Sequence, residues 1–143
     1  MNKERLAHYI LQSEFQVTRE LVEGQNKREV LIDLLDISFD TKNIAVYFFL
    51  EDWIYDKESA ELHSMASSLL SVAFAWVPRA YHIAFRHIRQ AIKLEPSNLD
   101  YKEMILEYHE IPECLLSLEE AIDHAEQVIE REPKSKIARN FLR

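Results

Sequence analysis

The sequence predicts an all-α chain of packed helices, and three observations predict it. Glycine is almost absent: the 143 residues hold one, with four prolines. Doubly wound sheets, phosphate loops and β-sandwiches need glycine where the backbone takes special geometry, and that supply is missing here. Apolar residues recur at steps of three and four, the spacing of one helical face. The chain also repeats itself. AFRHIRQAIKLEP, Ala84–Pro96, lies over AIDHAEQVIEREP, Ala121–Pro133, at an offset of 37, with six of thirteen pairs identical. Ala84/Ala121, His87/His124 and Gln90/Gln127 are among them. In each segment a small residue is followed by apolar ones at +4 and +7 and by proline at +12. Alanine on that face admits a neighbouring helix, and proline stops the segment. A unit of this kind cannot bury its stripe alone and must stack on its neighbours.

In chain order, a first helix is expected from Asn2 or Lys3 to about Glu23, with Leu6, Ile10, Val17 and Leu21 as its stripe. Gly24 stands where a helix C-terminus wants a left-handed residue. Lys27 to about Ile37 reads as a second helix, with a strand as the alternative for VLIDLLDI. Asp40 or Thr41 can cap a third, running to Tyr55. Its apolar and aromatic residues cover most of the circumference, so it is either central or partly exposed at a binding face. Asp56 can cap the next, Lys57 to about Trp76, whose Ala and Ser residues suit close packing. Arg79–Leu94 is the clearest helix. Ser97 or Asn98 caps another, to about His109. Ser117 opens a capping box with Glu120, and that helix runs to Arg131. Lys136–Arg143 forms a short terminal helix covering the last pair. No linker divides the chain. Residues 1–143 are expected as one domain, with N-terminal helices over 1–56 and repeat hairpins over 57–143.

The spacing of Ala84, Ile88, Ala91 and Pro96, with AIKLEPSN running on from Ala91 to Asn98, resembles the second helix of a tetratricopeptide repeat. The resemblance covers roughly Glu58 to Arg143. Leu99–His109 lacks the usual Trp and Gly of a first helix, while Ile105 and Tyr108 fill part of that pattern. The usual period is about 34, so the observed offset implies an insertion, placed in His109–Cys114. The resemblance implies antiparallel hairpins stacked as a right-handed solenoid, with first helices lining a binding groove. Its candidates here are Glu61, Ser64 and Ser68 on one first helix, and Lys102, Glu103 and Glu107 on the next. Tyr47 and Trp53 would be aromatic anchors if their helix is exposed. The family is a protein-binding scaffold with many unrelated partners.

Charge sharpens the expectation. The net charge is −8, from 25 acidic and 17 basic residues. This disfavours nucleic acid, which needs clustered Lys and Arg. Residues 56–96 are the exception, with 4 acids against 5 bases. There Arg79, His82, Arg86, Arg89 and Lys93 make one basic stripe, either a contact for an acidic surface or a solvated face. Glu119, Asp123, Glu126 and Glu130 make an acidic stripe that could steer a basic partner.

Catalytic and metal signatures are weak. Six histidines carry no HExxH pattern, and Glu4/His8 and Glu120/His124 offer only pairs of ligands. Cys114, the single cysteine, has His109 nearby in sequence but across Pro112. No glycine is placed to build a nucleophile elbow. No cofactor or metal is expected. No apolar run approaches the ~18 residues of a membrane span, and without a signal-peptide pattern a reducing cytoplasm is the expected setting. The expected function is therefore non-enzymatic, stoichiometric binding of another protein, with homo-oligomers admitted. The sharper alternative is an acidic immunity- or antitoxin-type inhibitor of a basic toxin. A small helical-bundle enzyme or metal protein is the least favoured reading.

Overall fold

A computed structural model describes residues 3–143; the Asn2 helix start lies outside them. Every regular element among the described residues is helical. The helices are α1 Lys3–Leu11, α2 Phe15–Val22, α3 Lys27–Thr41, α4 Ala45–Lys57 and α5 Ala60–Ala73. They continue as α6 Ala80–Leu94, α7 Leu99–Met104, α8 Glu107–Glu110, α9 Leu118–Arg131 and α10 Lys136–Phe141.

The single long N-terminal helix is corrected to two. Ser13 takes a left-handed φ of 60°. Glu14 N–H donates to Tyr9 O at 2.9 Å and Ser13 N–H to Ile10 O at 2.9 Å. That double closure is a Schellman stop made on serine instead of glycine, and so carries no sequence signal. Gly24 does take the left-handed conformation, at φ 82°, with nothing near its would-be Cβ; backbone geometry alone requires it.

Two caps also move. Thr41 lies in the last turn of α3, its hydroxyl bonded back to Ile37 O, and Asn43 instead accepts from Ala45 N–H ahead of α4. Asp56 lies inside α4, where it holds the buried Arg19 guanidinium of α2 at 2.7 Å. Ser59 caps α5 in its place. Asn98 caps α7 and Ser117 caps α9, as their sequences predict. The helix expected from Asn98 to His109 is broken at Ile105–Leu106 into α7 and α8.

From α3 onward, side-chain bonds link the helices in two sets, a first rank and a second. Lys27 pairs with Glu61 (3.8 Å), Ser67 bonds Tyr108 (2.8 Å) and Ser135 donates to Glu103 (2.7 Å), which links α3, α5, α7–α8 and α10 in sequence. Tyr47 bonds His87, and Arg89 pairs with Glu120, linking α4, α6 and α9. The α5–α6 pairing is the most extensive. The repeated positions behave alike: Ala84, Ile88 and Ala91 of α6 are fully buried, as are Ala121, Ala125 and Val128 of α9. Both helices also end alike, Glu95 donating to Ala91 O and Glu132 to Val128 O. The aromatic helix α4 is central. Val46, Phe49, Leu50 and Trp53 are core residues, and α1, α2, α3 and α5 all pack on it.

Candidate functional site

Three features stand out from the packed background. The first is a buried polar chain between α4, α5 and α6. Tyr47 Oη lies 2.8 Å from His87 Nε2, His87 Nδ1 lies 2.9 Å from His63 Nδ1, and His63 Nε2 lies 2.7 Å from a Glu58 carboxylate oxygen. Glu51 sits 3.2 Å from His87 Nε2. Two nitrogens facing each other require one donor and one acceptor. In the uncharged arrangement Tyr47 O–H donates to His87, His87 Nδ1–H donates to His63, and His63 Nε2–H donates to Glu58. One added proton on His63 reverses the middle bond, and His87 Nε2–H then donates to Glu51. His87 is neutral in both. Burial is the main cause, followed by the charges of His63 and Arg86, and its pKa is lowered to about 4. Burial, aided by Glu51, also pushes the Tyr47 phenol well up.

The second feature is a cleft of about 690 Å³ between α6 and α9. Arg86, Arg89, Gln90 and Lys93 line one wall, Glu120, Asp123 and His124 the other, and Ile92 and Ile105 supply apolar surface. His124 Nδ1 is buried here without a hydrogen-bond partner. Arg89 lies over the Phe85 ring, 5.2 Å from its centroid, and reaches Glu120 at 3.4 Å.

The third is the outer surface of the first rank. On α5, Glu61, Ser64, Ser68 and Val72 follow one another at helical spacing and remain wholly or partly exposed. Asp100, Glu103, Glu107 and Glu110 on α7–α8 share a hollow with Ile137 of α10. Burial and the Glu110 charge raise the Glu107 pKa. Lys27 and Glu61 pair near the starts of α3 and α5. Twelve residues beyond Lys27 stands Phe39, and eleven beyond Glu61 stands Val72, both about half exposed. At 1.5 Å per residue each lies about 17–18 Å along its own helix from that pair. Trp76, 63% exposed, follows at that end of α5, its indole N–H held by Ala73 O.

Several expected site residues fall elsewhere. Tyr47 and Trp53 are 8% and 3% exposed, so they are corrected from anchors to core. The all-round apolar surface of α4 is buried by its neighbours, and its exposed aromatics are Phe48 and Tyr55. Lys102 turns from the first-rank surface to bond Gln127 of α9. Glu103 and Glu107 do share one hollow. In the basic stripe, Arg79, Arg86, Arg89 and Lys93 are exposed and His82 is half-buried. Arg79 takes a left-handed φ of 69° at the start of α6. Sequence reasoning missed Glu51, Glu58 and His63, which meet His87 only through tertiary packing, and the exposed Phe39, Val72 and Trp76.

Cys114 and His109 do come together, at 3.6 Å, but His109 Nδ1 also lies 2.9 Å from Leu116 O. A carbonyl cannot donate, so Nδ1 carries its hydrogen toward Leu116 and cannot take the thiol proton. No group of three or more His, Cys, Asp or Glu among the described residues is placed to hold a metal. No described helix is long and apolar enough to cross a membrane. No protein-family model, curated protein or solved structure matches the chain.

Proposed function

We propose that this chain is a non-enzymatic protein-binding module, its hairpins stacked as a right-handed solenoid similar to tetratricopeptide repeats. The observation that carries this reading is the first-rank surface. Phe39, Val72 and Trp76 are exposed toward the C-terminal ends of α3 and α5, while four carboxylates line α7–α8. Apolar anchors beside a field of one sign suit a partner segment that is apolar at one end and basic at the other. Glu61, Ser64 and Ser68 give α5 a polar, wholly or partly exposed face ahead of Val72. A cytoplasmic setting belongs to the same proposal.

An inhibitor of a basic toxin is the second reading. It is favoured by the exposed acidic stripe Glu119, Asp123, Glu126 and Glu130 on α9. Affinity separates the two: an inhibitor holds its partner at about nanomolar strength, an adaptor nearer micromolar.

The test is affinity capture by the tagged chain, its F39S/V72S variant and its E103K/E107K variant, with far-ultraviolet circular dichroism to verify folding. A partner lost by both variants, and released faster at high salt, supports the reading. A partner retained equally by both contradicts it.

A further inference from the structure

The α6–α9 cleft is the open counterpart of the buried histidine chain, and the difference between them specifies a ligand. The three second-rank helices align by burial. Val46, Phe49, Leu50 and Trp53 of α4 correspond to Ala84, His87, Ile88 and Ala91 of α6, at an offset of 38. These correspond in turn to Ala121, His124, Ala125 and Val128 of α9, at 37, and all but the half-buried His124 are buried. The same registers match the neighbours of the two histidines. Where His87 has the hydroxyl of Tyr47, His124 has the position of Phe85, a ring of equal burial with no hydroxyl. Where His87 has the carboxylate of Glu51, the matching position is Arg89. Where His87 has His63 of α5, the α7 group whose charge acts on His124 is Lys102.

The second copy has thus exchanged a hydroxyl, an acid and an imidazole for an apolar ring and two cations. It has also left a buried nitrogen without a partner. Arg86 and Lys93 add two cations that make no ion pair among the described residues. The opposing acids are engaged: Glu120 holds Arg89, and Asp123 accepts from Gln127 at 2.9 Å. Burial depresses the His124 pKa most, then the Lys102 charge; Asp123 and Glu120 oppose this, and Arg89 adds to it. An anion seated in the cleft relieves the crowding of positive charge there.

We propose that the α6–α9 cleft binds a small organic oxyanion. Its carboxylate or phosphate head is held by Arg86 and Lys93 beside the His124 ring, and its apolar body rests against the part-exposed Ile92. The volume suits such a ligand, since small-molecule sites span roughly 300–1,000 Å³. The site is separate from the first-rank surface proposed to hold a protein, so either can fail alone.

The test follows the ring nitrogens of His124 by nitrogen-15 NMR in the whole chain, with phenyl phosphate and benzoate as probes. A saturable shift at His124 with one or both probes is expected, at submillimolar to low-millimolar strength, and the probe preferred identifies the head group. The R86Q/K93Q variant weakens it by about tenfold, as loss of roughly 1.4 kcal/mol does. R79Q, on the same stripe but outside the cleft, leaves it unchanged. No saturable shift with either probe overturns the proposal. So does binding that R86Q/K93Q leaves intact while the circular dichroism of that variant matches the parent.

Discussion

His87 and His124 occupy one position in two copies of the same helix, yet their surroundings have opposite character. Around His87 every polar atom of the chain from Tyr47 to Glu58 has a partner, and α4 closes over it. Around His124 the ring nitrogen has none, and α6 and α9 part to leave a cleft. The conserved part of the repeat is apolar: the buried Ala, Ile and Val positions that set how close the helices come. The polar part has diverged. A repeat fixes its fold with the first set and is free to vary its chemistry with the second. The sealed copy contributes to stability, and the open copy is free to bind.

The largest expected effect breaks the sealed copy. His87→Leu strands His63 Nδ1 in the core and leaves the Tyr47 hydroxyl with Glu51 alone, an unpaired buried group costing about 1–3 kcal/mol. Urea denaturation should show a loss of about 2–5 kcal/mol. His124→Leu removes a nitrogen that has no partner and should stay within about 1 kcal/mol of the parent. Equal losses at both sites would erase the distinction.

Acid sharpens it next. The unfolded chain protonates His87 near pH 6.5, the folded chain only near pH 4. Between those values the unfolded state binds more protons, so stability falls as pH falls from about 6.5 to about 4 and levels off below. The fall attributable to His87 is about 3 kcal/mol. Denaturation midpoints at pH 7, 5.5 and 4 should show this trend, and His87→Gln should flatten it.

The smallest effect tests what the copies share. Ala84→Leu and Ala121→Leu, both at positions of zero exposure, should each cost about 1–3 kcal/mol through overpacking. Two unchanged thermal midpoints would remove the structural equivalence of α6 and α9.

How much of this was legible in the sequence follows from range. The α6–α9 repeat was readable because alanine spacing and a terminal proline are local facts. The placement of α4 was half readable: its all-round apolar wheel fits a central helix, but only packing decides that Tyr47 and Trp53 are core. The break at Ser13 was invisible because a serine there does a glycine's work. The caps at Asp40–Thr41 and Asp56 misled because both residue types also serve inside helices, Thr41 bonding back to Ile37 and Asp56 reaching Arg19. His63 and His87 are 24 residues apart, and no spacing rule joins them before the hairpin does. The two walls of the cleft were visible separately, as the basic stripe and as Asp123 with the Glu120/His124 pair; only packing shows that they face each other.

The most direct test of the contrast is nitrogen-15 NMR of the histidine rings in the free chain, followed from pH 7 to pH 4. The account predicts that His87 stays neutral until about pH 4. It also predicts a scalar coupling across the His63 Nδ1–His87 Nδ1 hydrogen bond, and no such coupling at His124. A His87 that titrates near the ordinary value of about 6.5, with no coupling to His63, would contradict the sealed chain and the comparison built on it.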